Sequence, residues 1–365
     1  MVERGSHSPY IIMLMVNAAV SVSGIFVPLL AREIGLSLSD IGIIGTAYGT
    51  AAFFSYILFG RLADITGRER EIILCGLVAG TVFFAAQVYM RDMASMVVLR
   101  ALAGTSVGMC TFPLFSYVSG ASGYRERIGW LAGFGSLGWA IGYLAAGLVG
   151  RWREGFILSG LFFLIALVIS ADLGGSGRKR RGGRSVRDVL SSNFPLYLSY
   201  FLRHTGAYVV WSLFPVFLRE ELNCPVLWIG ILHAINTGSQ FLIMGMLGRK
   251  AGRWSGSEIF RLGTFLSAVS FFLYSAVTSY LQLIPIMLAI AFAWSCMYVG
   301  ALVYLIEKNG ETATATGMLG STISLSMMVG PAVGGFVSQA AGLRMTGVVA
   351  GALSLAGLAS SRLIR

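Results

Sequence analysis

The sequence predicts an all-α, polytopic membrane protein, with twelve transmembrane helices in two pseudo-symmetric six-helix bundles. Three observations carry this. Of 365 residues, 56% are hydrophobic and 12% charged, about half the charged share of a soluble domain. Apolar runs of about 20 residues recur along the whole chain, each long enough to cross a hydrocarbon core of ~30 Å at ~1.5 Å per residue. Lysine and arginine also alternate in density between successive loops, as the two faces of a membrane require.

Taken in order, the spans fall at 10–31, 41–61, 72–90, 95–118, 128–149 and 155–171. A second set follows at 194–218, 226–247, 258–278, 281–305, 315–339 and 343–361. The first run has one arginine, Arg4, in its leader and no small-residue cleavage signature, so it reads as a retained helix rather than a signal peptide. An even count puts both termini on one side. If that side is the cytoplasm, it holds 19 of the 27 Lys+Arg, against six opposite: Arg32, Arg91, Arg151, Arg153, Arg219 and Arg344. Two arginines, Arg100 and Arg203, lie within spans. The asymmetry follows the positive-inside rule, so the expectation is a multi-pass protein of the cell (plasma) membrane with cytoplasmic termini. Basic loops facing anionic lipid headgroups account for the net charge of +11, and no nucleic-acid partner is implied.

The chain divides into an N-terminal six-helix bundle over 1–172, a cytoplasmic basic linker over 173–192 and a C-terminal six-helix bundle over 193–365. The linker contains GGSGRKRRGGRSVR, Gly174 to Arg187, a flexible and basic composition. The halves echo one another: Gly60-Arg61 recurs as Gly248-Arg249, and Gly147 as Gly334. Glycines crowd the fifth and eleventh spans, where backbones are expected to approach closely. A duplicated unit of this kind predicts two bundles rocking about a shared cavity, with the binding site near the midplane at their interface.

The loop after the second span reads GRLADITGRER, Gly60 to Arg70. It is similar to the signature loop of the major facilitator superfamily, G-x-L-A-D-x-x-G-R/K-R/K, with Ile65 and Glu69 standing where basic residues are common. Arg100-Ala-Leu-Ala-Gly104 in the fourth span resembles the family's R-x-x-x-G pattern there. Gly330-Pro331-Ala-Val-Gly334-Gly335 has the family's G-P-x-x-G-G form but lies in the eleventh span. The usual fifth-span position holds Gly138-Trp139-Ala-Ile-Gly142 without the proline. The resemblance implies the family's fold, a carrier working by alternating access as a monomer, and a gating role for Gly60, Asp64, Gly67, Arg68 and Arg70. Because the fifth-span proline is missing, it does not imply antiport.

Ionisable groups inside a bilayer are costly, so each one is a functional candidate. All sixteen Asp+Glu lie in loops or near span ends, which weakens a proton-coupled exporter of cations, since exchange against a proton needs an embedded carboxylate. The embedded charges are positive. Arg203 lies about ten residues into the seventh span, ~15 Å deep. It leads the candidates, because a guanidinium grips a carboxylate or phosphate in bidentate fashion. Tyr197, Tyr200, His204, Tyr208 and Trp211 share its stripe at helical spacing. His233, Asn236 and Gln240 form one face of the eighth span, either as substrate contacts or as bolts between helices. Asn17, Trp294 and Tyr298 lie on helices that the resemblance turns toward the cavity. Arg100, nearer a span end, serves either as a site residue or by reaching the interface.

Cys75, Cys110, Cys224 and Cys296 show no paired spacing, so no metal site or cofactor is expected. Neither paired carboxylates nor an activated nucleophile stands at a spacing an enzyme would need. The resulting expectation is a secondary active or facilitative transporter of a small solute, favoured a small organic anion. Efflux of neutral or amphipathic compounds, as in multidrug carriers, is the alternative. Any proton carrier would be His204 or His233, and exchange against a counter-substrate stays open.

Overall fold

The structure, a computed structural model, describes residues 7–119, 124–174, 186–250, 254–309 and 312–364. Its helices are α1 (Ser8–Glu33), α2 (Leu38–Thr66), α3 (Glu69–Ala85), α4 (Met93–Ser119), α5 (Tyr124–Val149), α6 (Trp152–Ile169) and α7 (Val186–Trp211). They continue with α8 (Phe214–Glu221), α9 (Val226–Lys250), α10 (Gly256–Ala276), α11 (Leu283–Lys308), α12 (Thr312–Ala341) and α13 (Met345–Ser361). Among the described residues, ten helices are long and apolar enough to cross a membrane. With α7, diluted by Arg203 and its polar stripe, and the 17-residue α13, these make the twelve spans, and α8 is an addition of eight residues.

The span expected at 194–218 is broken. α7 ends at Trp211 and α8 starts at Phe214, with Pro215 in its first turn. Proline suits a helix start but cannot donate within one, so the chain turns there. α7 also begins at Val186, inside the stretch expected to be linker, because VRDVLSSN can form a helical turn ahead of the apolar run. Residues 175–185, the basic heart of that linker, lie outside the described residues.

The chain forms two compact units. The first comprises Met1–Leu36, Ala47–Arg181 and Pro225–Ala234, and the second Ser37–Thr46, Gly182–Cys224 and Ile235–Arg365. In the first, α1 packs on α5 and α6, and α3 on α4 and α6. α1 is apolar and buried around most of its circumference, as a central helix must be. In the second, α7 packs on α12 and α13, and α10 on α11 and α13. The same four pairings recur six spans later, so the sequence repeat is a structural repeat.

Two close backbone crossings follow the repeat. In the second unit, a Cβ on Gly42 would stand 2.9 Å from Gly335 Cα. In the first, a Cβ on Gly230 would stand 2.9 Å from Gly147 Cα. Gly42 and Gly230 are repeat mates, as are Gly147 and Gly335, one residue beyond the Gly334 that the sequence pairs with Gly147, and in each crossing only glycine leaves room for the other backbone.

Candidate functional site

α7 supplies the centre of the second unit's polar cluster. Helical spacing stacks Tyr197, Tyr200, Arg203, His204 and Tyr208 along one side. Arg203 is only 2% exposed. Its Nε donates to Ser267 Oγ of α10 at 2.9 Å, and that hydroxyl donates in turn to Gly263 O at 2.8 Å. Its Nη1 lies 3.4 Å from His204 Nδ1. As a guanidinium only donates, this contact uses the imidazole lone pair and leaves the His204 proton on Nε2. The guanidinium also lies 5.6 Å from the Phe271 ring and 5.5 Å from that of Trp294. Among the described residues no carboxylate pairs with it.

In front of this cation stands a ladder of rings. His204 stacks on Trp294 at 4.8 Å, and Trp294 stacks on Tyr298 at 5.5 Å. Tyr200 meets Trp294 edge-on at 6.1 Å, and Tyr208 meets His204 edge-on at 5.2 Å. Trp294 and Tyr298, one turn apart on α11, are half-buried, while Tyr200 is fully buried and its hydroxyl has no partner among the described residues. Trp211 ends α7 with its ring edge-on to Phe214 of α8. Tyr197, lower on the stripe, donates to Ala315 O at 2.9 Å and ties α7 to α12.

The face expected on the eighth span divides between the two units. His233 stacks on Tyr143 in the first, 4.2 Å between centroids. In the second, Asn236 Nδ2 donates to Met287 O at 3.1 Å, and Gln240 Nε2 donates to Asn236 Oδ1 at 2.7 Å. Asn236 thus fastens α9 to α11, and Gln240, on the same helix, braces it. In the first unit, Asn17 on α1 lies against α5 beside Gly135. Arg100 is buried, donates to Ser23 Oγ at 3.2 Å and sits over the Tyr48 ring at 3.9 Å.

The Gly60–Arg70 segment forms the end of α2, a two-residue break and the start of α3. Gly67 has φ of 65°, a conformation that favours glycine, and its N–H donates to Ala63 O at 2.8 Å, closing α2. Thr66 Oγ1 accepts from Arg68 N at 3.3 Å. Arg68 is exposed and Arg70 half-buried. Asp64 lies on the last turn of α2.

A family model described as Major Facilitator Superfamily matches residues 10–193 and 196–364. The chain belongs to the major facilitator superfamily. It is therefore a membrane transporter and not an enzyme. It is 22% identical over 347 residues to an uncharacterized MFS-type transporter of Methanocaldococcus jannaschii, covering 86% of each chain. The crystal structure of the nucleoside transporter NupG superposes with a TM-score of 0.80 at 13% identity, covering 98% of both chains. That of the human organic anion transporter MFSD10 does so with 0.72 at 18%, covering 97% of this chain and 98% of the other. At these identities the likeness is one of fold.

Within this facilitator chain, sequence reasoning missed Ser267 and Phe271 beside Arg203, and Ser23, Tyr48 and Gln87 around Arg100. Gln87, an amide at the end of an apolar run, carried a usable signal, because a polar group there needs a partner. A serine or an aromatic ring carries no such signal, being common in packed helices.

Proposed function

We propose that this transporter moves a small organic anion across the cell membrane by alternating access, working as a monomer with both termini cytoplasmic. The observation that carries the reading is Arg203, a buried cation with no acidic partner among the described residues, standing behind the His204–Trp294–Tyr298 ladder. At roughly 8 Å and an effective dielectric of ~20, such a charge attracts an anion by about 2 kcal/mol without touching it. Tyr200, His204, Tyr208, Trp211, Trp294 and Tyr298 would shape and orient the solute. Asn236, braced by Gln240, holds α9 and α11 in register, Arg100 is a second positive centre, and Asn17 and His233 are lesser candidates. Gly60, Asp64, Gly67, Arg68 and Arg70 would latch the gate. The half-exposed rings of α11 also favour a second reading, carriage of neutral amphipathic compounds, for which Arg203 would be a packing residue.

The test is ligand-induced thermal stabilisation of the purified protein against organic anions, neutral metabolites and cationic dyes. Anions should stabilise the wild type and Arg203→Lys, which keeps the charge, but not Arg203→Met. Stabilisation by cations or neutral amphiphiles alone, or an unchanged response in Arg203→Met, would make the anion reading wrong.

A further inference from the structure

The first unit holds a set of buried donors that lacks an acceptor. Arg100 is 8% exposed and Gln87 is fully buried. Arg100 Nη1 donates to Ser23 Oγ at 3.2 Å, and Ser23 directs its only proton to Gln87 Oε1 at 2.6 Å. One hydroxyl thus joins the two side chains. Arg100 Nε and Gln87 Nε2 remain without hydrogen-bond partners among the described residues. α1, α4 and the 3₁₀ turn Ala86–Tyr89 bring the three side chains together. The Tyr48 ring, 3.9 Å from the guanidinium, covers one face with π density and offers no formal charge.

Both unpaired atoms are donors, and the only formal charge in the set is positive. A buried guanidinium cannot shed its proton to escape its environment, and a buried cation without a counter-charge is strongly unfavourable. Water would satisfy a donor but would leave the charge. An anion satisfies both, and it must be compact, since Ser23 and the Tyr48 ring already stand against the guanidinium and Gln87 is tied to Ser23.

We propose that Arg100 and Gln87 bind a compact monovalent anion, supplied either as chloride from solution or as the carboxylate of the transported solute. The inference stands on the unpaired donors and is separate from the Arg203 reading. Its carboxylate form would add a second contact to that reading.

The experiment follows thermal unfolding of the purified full chain at constant ionic strength. Sodium gluconate is replaced stepwise by sodium chloride or, in a parallel series, by sodium formate. A saturable rise of roughly 2 °C or more is expected for the wild type in at least one series. Gln87→Glu places a carboxylate beside Arg100 at nearly constant volume. It should raise the melting temperature in gluconate and abolish the further rise. Arg100→Gln should abolish the rise without raising the starting value, and it carries the test if Gln87→Glu does not fold. A chloride response identifies a resident inorganic ion, and a response to formate alone identifies the solute's carboxylate. No response to either salt, or one kept undiminished in the variants, overturns the site and leaves water as its occupant. Arg203→Met should keep the chloride response, so failure of the Arg203 reading and failure of this one are distinguishable.

Discussion

Among the described residues, the two units bury one arginine each, and they complete it differently. Arg203 has a hydroxyl, an imidazole lone pair and two aromatic rings as neighbours, all supplied by α7, α10 and α11. Among the described residues, Arg100 has one hydroxyl and one ring, and its Nε is unpaired. The pairings of helices repeat, but these environments do not, because Arg203 lies on α7, the mate of α1, while Arg100 lies on α4, the mate of α11. The helix pairings repeat as a frame, while the buried arginines sit at positions that the repeat does not share.

The strongest way to break this comparison is at the glycine crossings, where the frame should behave alike in both units. Gly42→Leu and Gly230→Leu each push a side chain into backbone, and each should cost about 3 kcal/mol. Near-equal losses of folded, monodisperse protein would support equivalence of the frame, and a large loss in only one would refute it. A smaller effect of opposite character is expected at the arginines. Arg203→Met forfeits a satisfied hydrogen bond and two ring contacts, so unfolding without ligand should be easier by about 1–3 kcal/mol. Arg100→Met removes an unsatisfied cation and leaves Ser23 bonded to Gln87, so in gluconate it should be neutral or stabilising. Equal destabilisation by the two substitutions would mean that Arg100 is as fully satisfied as Arg203.

The smallest effects lie at two helix starts that are repeat mates. Before α4, Asp92 Oδ1 accepts from Ser95 N at 2.8 Å. Before α11, Ser279 and Gln282 form a neutral capping box. Hydrogen bonds from Ser95 hold the Asp92 carboxyl below the ordinary carboxylate range. Its contribution is therefore present above the unfolded-state value and is lost as pH falls through the lower folded value. Asp92→Ala should lower the melting temperature slightly at neutral pH, with the difference shrinking as the medium is acidified. Ser279→Ala should lower it by a similar amount at every pH. A pH-independent Asp92→Ala difference would remove the ionised cap from the account.

The spans were legible because apolar length and positive loops are properties of single segments. The repeat was legible because the Gly-Arg pairs sit at matching places in the two halves. The break at Ser212 was missed because its cause, Pro215, stands at the end of an apolar run where a proline is tolerated. In the candidate site, helical period accounts for the α7 stripe and for the Trp294–Tyr298 stack within α11, whereas the stack of His204 on Trp294 joins two helices and no local pattern announces it. What surrounds Arg203 and Arg100 was not legible. Ser267, Phe271, Ser23 and Tyr48 come from other helices, and no local pattern in a serine or an aromatic residue says which neighbour it will meet.

The division of the chain into units also bears on how the protein is made. The first unit takes its last segment, Pro225–Ala234, from beyond the linker, and the second includes Ser37–Thr46 from near the start. A ribosome that has finished the sixth span has therefore not finished the first unit, because the Gly147 crossing waits for Gly230. Insertion into the bilayer can proceed helix by helix, but neither unit reaches its final form as an independent product of translation, and two fragments cut at the linker would each be born lacking a piece that the other carries.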